Sequence, residues 1–338
     1  MATSIRSGYI DTWRFVAVSI VICAHLISFK ESFILINGNT GVFIFFFISG
    51  FVVSKTALRE FSSGGTFSIT GFYMRRAFRI IPPLMIYLFV GYALGQFGVI
   101  DFGTYELLPA ATYLCNINLV DCGWYAGHIW SLAFEEQFYL LFPLIFIWIE
   151  SSYSRRPSIW FFAIAGIVAL LPFWFSINWI GKTGYLVIYG LFAMGYLFAK
   201  FELRLHILHS HSVVLFALGF ALTFLPINLL NNPFLEKYYK FIYLISIPVM
   251  IFTSGSSYTL RSIFENQLTK YIGRISYSIY LWQQFFTGYF KDLPIIPNLI
   301  LLVLMVLGCS LLFTYVESPL IKQSKKLFDL RISRGIPS

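Results

Sequence analysis

The sequence predicts an all-α, polytopic membrane protein of about ten transmembrane helices around a through-membrane cavity. Of its 338 residues, 58% are hydrophobic and only 12% are charged. A soluble domain has about half apolar and about a quarter charged residues. The apolar residues are also grouped in runs close to the roughly 20 residues that cross a bilayer as a helix.

Ten apolar runs are predicted to span the membrane. They are residues 8–28, 40–57, 80–99, 128–149, 158–177, 184–200, 211–230, 239–254, 272–291 and 296–316. The first run carries charged residues and no small-residue cleavage site, so it is predicted to be a retained helix. We expect a membrane-embedded domain over residues 1–320 and a short basic cytoplasmic tail over residues 321–338.

The basic residues indicate how the chain is oriented. With the N-terminus in the cytoplasm, 18 of the 24 Lys and Arg residues fall on the inner side and 5 on the outer side, and Arg14 lies within a span. Such a bias is the positive-inside rule, and it places both termini in the cytoplasm. The net charge of +9 therefore reflects topology, and it implies no nucleic-acid partner.

Four cysteines are present. Cys23 and Cys309 fall in predicted spans, where cysteine behaves as a small hydrophobe. Cys115 and Cys122 fall in the connection 100–127, which has no Lys or Arg and is predicted to lie outside. A disulfide there or two free thiols are both open from the sequence.

Arg14 and His25 are eleven residues apart in the first span. Eleven steps of about 100° bring both side chains to one helix face, about 16 Å apart in depth. Ionisable residues inside a membrane are costly and mark functional paths. This helix face is therefore predicted to carry a fixed cation, Arg14, nearer the cytoplasmic side and a titratable imidazole, His25, nearer the outer side.

Two adjacent carboxylates, Glu135 and Glu136, lie in the fourth span. His128, Ser131 and Glu135 have i, i+3, i+7 spacing and share a face. One interpretation is a structural polar network with Arg14, since buried carboxylates need partners. The other is a carboxylate that orients a histidine general base.

Depth favours the second interpretation. The first span runs outward, so His25 lies near its outer end. The fourth span starts outside, which puts Glu135 about 10 Å below that surface. His25 and Glu135 are therefore expected at similar depth.

Arg75, Arg76 and Arg79 form a cluster just before Pro82-Pro83, where the third span is predicted to begin. Ordinary inner-side anchoring is one explanation. The other is a clamp for phosphates, which guanidinium groups bind in a bidentate manner. The segment 41–51 carries Ser49-Gly50 and is predicted to serve helix packing.

Taken together these motifs resemble the acyltransferase-3 family of integral membrane proteins. The resemblance covers about residues 8–320 and rests on the following segments: Arg14-x10-His25, Gly41 to Phe51, Arg76-x-x-Arg79 with the following prolines, Trp130-Ser-Leu-Ala-Phe-Glu-Glu-Gln-Phe-Tyr139, Ser276-Tyr-Ser-Ile-Tyr-Leu-Trp282 and Glu317-Ser-Pro319. One departure is Gln283, where the family commonly has histidine.

The resemblance implies an enzyme of the bacterial inner membrane that moves an acyl group, often acetyl, from acyl-coenzyme A to a hydroxyl of a carbohydrate or glycolipid. Acyl-coenzyme A would be a substrate, and no permanently bound cofactor or metal is expected. Some members carry a fused extracytoplasmic domain. This chain ends about 20 residues after its last predicted span, so none is expected here.

The residues and the resemblance together suggest a mechanism. Arg75, Arg76 and Arg79 would hold the phosphates of coenzyme A. His25, oriented by Glu135 or Glu136, would take the proton of the acceptor hydroxyl. Arg14, Trp130 and Ser131 would line the donor path or stabilise the oxyanion. The alternative is a proton-coupled transporter of a small metabolite or glycolipid, since buried His and Glu residues also build proton relays.

Overall fold

The all-α prediction is confirmed. The computed structural model describes residues 8–26, 37–117, 119–150, 181–201, 211–225, 238–289 and 295–333. These residues are mostly helical and contain no β-strand. The predicted span 158–177 lies outside the described residues.

The helices are numbered here in chain order. They are α1 (Gly8–Leu26), α2 (Gly38–Gly64), α3 (Ile69–Gln96), α4 (Thr104–Ala111), α5 (Gly123–Gly127), α6 (Ile129–Glu150), α7 (Gly181–Phe201), α8 (Ser212–Thr223), α9 (Tyr243–Ser256), α10 (Tyr258–Phe264), α11 (Gln267–Arg274), α12 (Ser276–Tyr289), α13 (Ile295–Leu312) and α14 (Ser318–Ser333). A 3₁₀ turn, Tyr239–Ile242, precedes α9, and a π turn, Phe313–Glu317, joins α13 to α14.

Seven helical segments among the described residues are long and apolar enough to cross a membrane. They are Gly8–Leu26, Gly38–Ser63, Ile69–Gln96, Gly123–Glu150, Thr183–Phe201, Tyr239–Ser256 and Pro297–Ser324. The chain is therefore a multi-pass membrane protein. Two further predicted spans correspond to shorter helices, α8 with 12 residues and α12 with 14. The count of ten and the cavity stay predictions.

The chain forms two compact units. The first comprises Met1–Arg59 and Trp179–Ser276, and the second comprises Glu60–Asn178 and Tyr277–Ser338. The described helices of the first unit are α1, most of α2 and α7 to α11. Those of the second are α3 to α6 and α12 to α14.

Glycines allow close helix packing in the first unit. A Cβ added at Gly50 of α2 would lie 2.6 Å from the Phe192 carbonyl oxygen of α7. A Cβ at Gly41 would lie 2.5 Å from the Ala17 carbonyl oxygen of α1. Small residues let membrane helices approach in this way. The packing role predicted for segment 41–51 is confirmed.

The third span begins earlier than the sequence predicts. Helix α3 starts at Ile69 and not at residue 80, so Arg75, Arg76 and Arg79 lie inside the helix and Pro82-Pro83 lie in its interior. Ser68 caps the start, because its side chain accepts a hydrogen bond of 3.1 Å from the Gly71 N–H. Pro82 and Pro83 have no N–H to donate to the carbonyl oxygens of Phe78 and Arg79, four residues earlier in the helix. The Tyr277 hydroxyl donates to the Ile80 carbonyl oxygen over 3.0 Å.

Helix α12 forms part of the core of the second unit. Most of its residues from Ser276 to Thr287 are buried. Ser278, Gln283, Gln284 and Thr287 on this helix are all buried. Each of the four takes part in a hydrogen bond; for example, the Ser278 hydroxyl donates to the Glu317 carboxylate, and Gln284 Nε2 donates to the Trp124 carbonyl oxygen over 2.9 Å. These four polar side chains therefore have partners inside the protein.

Candidate functional site

Arg14 and His25 lie on one continuous helix, α1, as predicted. Arg14 is buried, with 6% of its surface exposed, and His25 is half-buried. The unbroken helix keeps the two side chains on one face, because their spacing is fixed at eleven residues. Both belong to the first unit.

The beginning of α1 is held by several polar contacts within the first unit. Asp11 is 2% exposed and pairs with Arg274, with 3.4 Å between Oδ2 and Nε. The Thr12 hydroxyl donates to the Phe264 carbonyl oxygen over 2.5 Å, and Trp13 Nε1 donates to the Ser254 hydroxyl over 2.8 Å. A buried carboxylate needs such a partner. These contacts position the turn that carries Arg14.

The arginine cluster of α3 has a different partner at each member. Arg75 Nη2 lies 2.9 Å from Glu60 Oε2, in an ion pair near the end of α2. Arg76 faces Tyr139 of α6. Arg79 acts electrostatically on Glu317 of the π turn. Their shared helix brings the three guanidinium groups within two turns of one another.

Arg76 contacts Tyr139 of α6 in two ways. Arg76 Nη1 donates to the Tyr139 hydroxyl over 3.3 Å, and Arg76 Cζ lies 4.5 Å from the centre of the Tyr139 ring. The Tyr139 hydroxyl in turn donates to Glu135 Oε1. A directed chain of hydrogen bonds therefore runs from the guanidinium through the phenol to the carboxylate.

Glu135 and Glu136 are both half-buried on α6. Glu136 lies within electrostatic range of Glu135 and Arg76. The structure thus brings the predicted carboxylates together with one member of the predicted clamp, inside the second unit. The pairing of His25 with Glu135 stays a prediction.

Ser131 and Trp130 are buried at the start of α6. The hydroxyl oxygens of Ser131 and Tyr280 lie 2.5 Å apart, and the Tyr280 hydroxyl also lies 3.1 Å from the His128 carbonyl oxygen, to which it can donate. Trp130 packs edge-on against Phe134. Ser131 therefore links α6 to α12, which carries the segment Ser276 to Trp282.

The two late motifs also meet. The Ser278 hydroxyl of α12 donates to Glu317, which is 4% exposed. Glu317 is the last residue of the π turn, and π turns inside helices are frequent at functional sites. Gln283 is fully buried, and its Nε2 donates to Gln284 Oε1 over 3.0 Å. An amide side chain thus occupies the position where the family commonly has histidine.

The connection 100–127 contributes a disulfide and a buried acid to the second unit. Cys115 and Cys122 form a disulfide, which settles the alternative that the sequence left open. Glu106 of α4 is fully buried, and its carboxylate packs against Gly123. Burial raises the pKa of Glu106 to about 7.

Tyr139, Tyr280 and Glu317 lie in the motifs that resemble the family, but sequence reasoning assigned none of the three side chains a role in the site. The i, i+4 spacing of Glu135 and Tyr139 was a readable signal, because side chains four apart on a helix meet. The contact of Ser278 with Glu317 joins residues 39 positions apart, and the contact of Ser131 with Tyr280 joins residues 149 apart. No local spacing predicts those pairs.

The comparisons with known proteins agree with the motifs. A protein of Staphylococcus aureus strain MRSA252 named "Putative O-acetyltransferase SAR0937" is 28% identical, over 96% of this chain and 59% of its own length. "O-acetyltransferase OatA" of Staphylococcus aureus strain NCTC 8325 is 24% identical, over 86% of this chain and 54% of its own length.

The chain thus spans between half and three fifths of the length of these curated relatives. No solved structure matches it. The family described as the acyltransferase domain matches residues 7–316, nearly the whole chain. On that match, the chain belongs to the acyltransferase-3 family.

Proposed function

We propose that the protein is a membrane O-acyltransferase that moves an acyl group, acetyl in the simplest case, from acyl-coenzyme A to a hydroxyl of a cell-surface or lipid-linked carbohydrate. The observation that carries this proposal is the chain from Arg76 through Tyr139 to Glu135. This chain of hydrogen bonds joins an arginine, a residue type that binds phosphate well, to one carboxylate of the pair Glu135 and Glu136. It lies in a membrane protein of an acyltransferase family.

The donor would be held by Arg76 and Arg79. Phosphate oxygens accept paired N–H donors from a guanidinium, which a lysine ammonium cannot reproduce. Arg75 is already paired with Glu60, so we assign it to anchoring α3 beside the clamp. Trp130 and Ser131 lie at the start of α6, about two turns before Tyr139, where the pantetheine arm would pass.

His25 would act as the general base. The acceptor oxygen forms a bond to the thioester carbon as the hydroxyl proton moves to the imidazole. The tetrahedral intermediate then expels the coenzyme A thiolate, which receives the proton. Glu135 or Glu136 would stabilise the imidazolium, and Arg14 would stabilise negative charge on the oxyanion or the donor.

The relatives and the charge bias support the proposed acceptor class and location. The names of the relatives specify O-acetyl transfer, which supports a hydroxyl acceptor. The 18-to-5 distribution of basic residues supports a bacterial inner membrane location with both termini in the cytoplasm. The arginine cluster would then face the cytoplasmic pool of acyl-coenzyme A.

Donor binding tests the proposal. Acetyl-coenzyme A is titrated by calorimetry into the purified protein in lipid nanodiscs. We expect Arg79→Lys to weaken binding about tenfold or more, because the charge is kept but the bidentate geometry is lost. Arg75→Lys is the matched control and should bind normally, since a lysine can still pair with Glu60.

Three outcomes would count against the proposal. Unchanged binding in both Arg76→Ala and Arg79→Ala would leave the cluster as an anchor. Envelope glycans whose mass spectra show the same acetyl-sized increments with and without the protein would argue against glycan acylation. Proton-dependent uptake of a small solute, together with absent acyl transfer, would favour the transporter.

A further inference from the structure

We infer that Tyr139 is a positioning residue for acyl transfer, which couples the donor clamp to the carboxylate pair. This inference rests on the proposed function. Tyr139 is 3% exposed, and it contacts Arg76 of α3 with both its ring and its hydroxyl. The same hydroxyl donates to Glu135 one turn earlier on α6.

The ring of Tyr139 fixes the plane of the Arg76 guanidinium. Arg76 Cζ lies 4.5 Å from the Tyr139 ring centre and 5.8 Å from that of Phe72. A cation above an aromatic face is held by the ring quadrupole, more strongly where water is excluded. A guanidinium has five N–H donors, and the bond to Tyr139 uses one of them. Others remain to face a phosphate in a set orientation.

The hydroxyl of Tyr139 fixes Glu135. A phenol has one proton to donate, and here that proton is directed to the carboxylate while the oxygen accepts from Arg76. Hydrogen bonds in series polarise one another, so the bond to Glu135 is stronger while Arg76 donates. Movement of Arg76 on donor binding would therefore be transmitted to Glu135 through a single oxygen atom.

A second tyrosine distinguishes this role from simple helix packing. Tyr73 lies on α3, one turn before Arg76, and its hydroxyl donates to the Leu140 carbonyl oxygen of α6 over 2.7 Å. Tyr73 thus joins the same two helices by one hydrogen bond. Because the Tyr73 hydroxyl bonds to the backbone of α6, removing that hydroxyl takes away one bond between the two helices. The hydrogen bonds from Arg76 through Tyr139 to Glu135 stay intact.

The experiment compares Tyr139→Phe with Tyr73→Phe. Both variants keep the ring and lose one hydroxyl. Acetyl-coenzyme A affinity is measured in nanodiscs, and kcat is measured as thiol release in membrane vesicles from cells that naturally make the protein. We expect Tyr139→Phe to lower kcat about tenfold or more while donor affinity changes less than about threefold. Tyr73→Phe should leave both within about twofold.

The double variant of Arg76→Lys and Tyr139→Phe measures how strongly the two residues are coupled in kcat. If the two residues act as one unit, their losses in kcat are strongly non-additive. A kcat of Tyr139→Phe equal to wild type, or to Tyr73→Phe, overturns the inference and leaves the proposed function standing. Absence of acetyl-coenzyme A-dependent transfer in the wild-type protein overturns the proposed function, and the inference falls with it.

Discussion

Asn116 and Gln137 exchange two amide hydrogen bonds. Asn116 Nδ2 donates to Gln137 Oε1 over 2.9 Å, and Gln137 Nε2 donates to Asn116 Oδ1 over 3.1 Å. Gln137 is eight residues past the start of α6, so Asn116 lies about 12 Å along that helix. The segment next to the Cys115–Cys122 disulfide therefore contacts α6 at Gln137, which is two residues after Glu135.

This pair predicts a coupled loss of stability. Asn116 has no exposed surface, so Gln137→Leu would leave a buried amide without its partner. We expect that substitution, or Asn116→Leu, to lower the free energy of unfolding by about 1–3 kcal/mol. The double substitution should cost less than the sum, because both polar groups are removed. Thermal unfolding in detergent gives these values, and strictly additive losses would contradict the pairing.

Glu106 predicts a dependence of stability on pH. Burial raises its pKa from 4.5 to about 7, while the Tyr105 hydroxyl and the Gly103 N–H favour the charged form and Asp101 and Asp121 oppose it. Tyr87 also lies near this group. Between about pH 4.5 and 7, the folded state therefore keeps a proton that the unfolded state releases.

The sign of the pH effect follows from that difference. Stability should fall as pH rises from 5 to 7 and level off above 7, by on the order of 1–3 kcal/mol from this one group. Glu106→Gln cannot ionise and should lose this part of the slope. Asp101→Asn, at an exposed acid of the same connection, should keep most of it. A Glu106→Gln variant with the wild-type slope would assign the pH effect to other groups.

Gly273 predicts a steric limit in the first unit. An added Cβ would overlap the Asp11 carbonyl oxygen of α1, so Gly273→Ala must push α11 away from α1. We expect a loss of about 1–3 kcal/mol, as for other overpacked contacts. Gly308→Ala in α13 has no atom within 4 Å of the new methyl and should be neutral or stabilise slightly. Equal unfolding temperatures for the two variants would contradict this close approach.

The bounds of a helix could be predicted from the sequence more accurately where one physical signal, such as an unbroken apolar run, dominates. Helix α1 follows from a single apolar run with two ionisable residues on one face, and the structure keeps it whole. The start of α3 was missed because its first turns carry arginines and do not resemble a span. The capping residue Ser68 was the readable signal there.

The candidate site divides in the same way. Glu135 and Tyr139 are four apart on one helix, so their contact was predictable in principle. Ser278 donates to Glu317, the last residue of the π turn. A π turn holds one residue more than an α-helical turn, and the hydropathy of the sequence does not show where that residue is added. The bond from Gln137 to Asn116 depends on how a disulfide-closed segment folds back, which composition does not encode.

The last prediction concerns His25. Asparagine has a similar polar shape but does not titrate near neutral pH, so His25→Asn should abolish transfer while the protein still folds and inserts. Removal of a positioned general base costs about 10²–10⁴ in rate, far more than a lost packing contact. Cys23→Ala, two residues away on α1, is the matched control and should retain activity.

Glu135→Gln should be comparably damaging if the carboxylate stabilises the imidazolium, and milder if it only completes a hydrogen-bond network. The two substitutions together should then cost little more than either alone, since residues that act as one unit give non-additive losses. Near-normal acylation by His25→Asn would remove the histidine from the mechanism, and solute uptake by that same variant would be the next measurement.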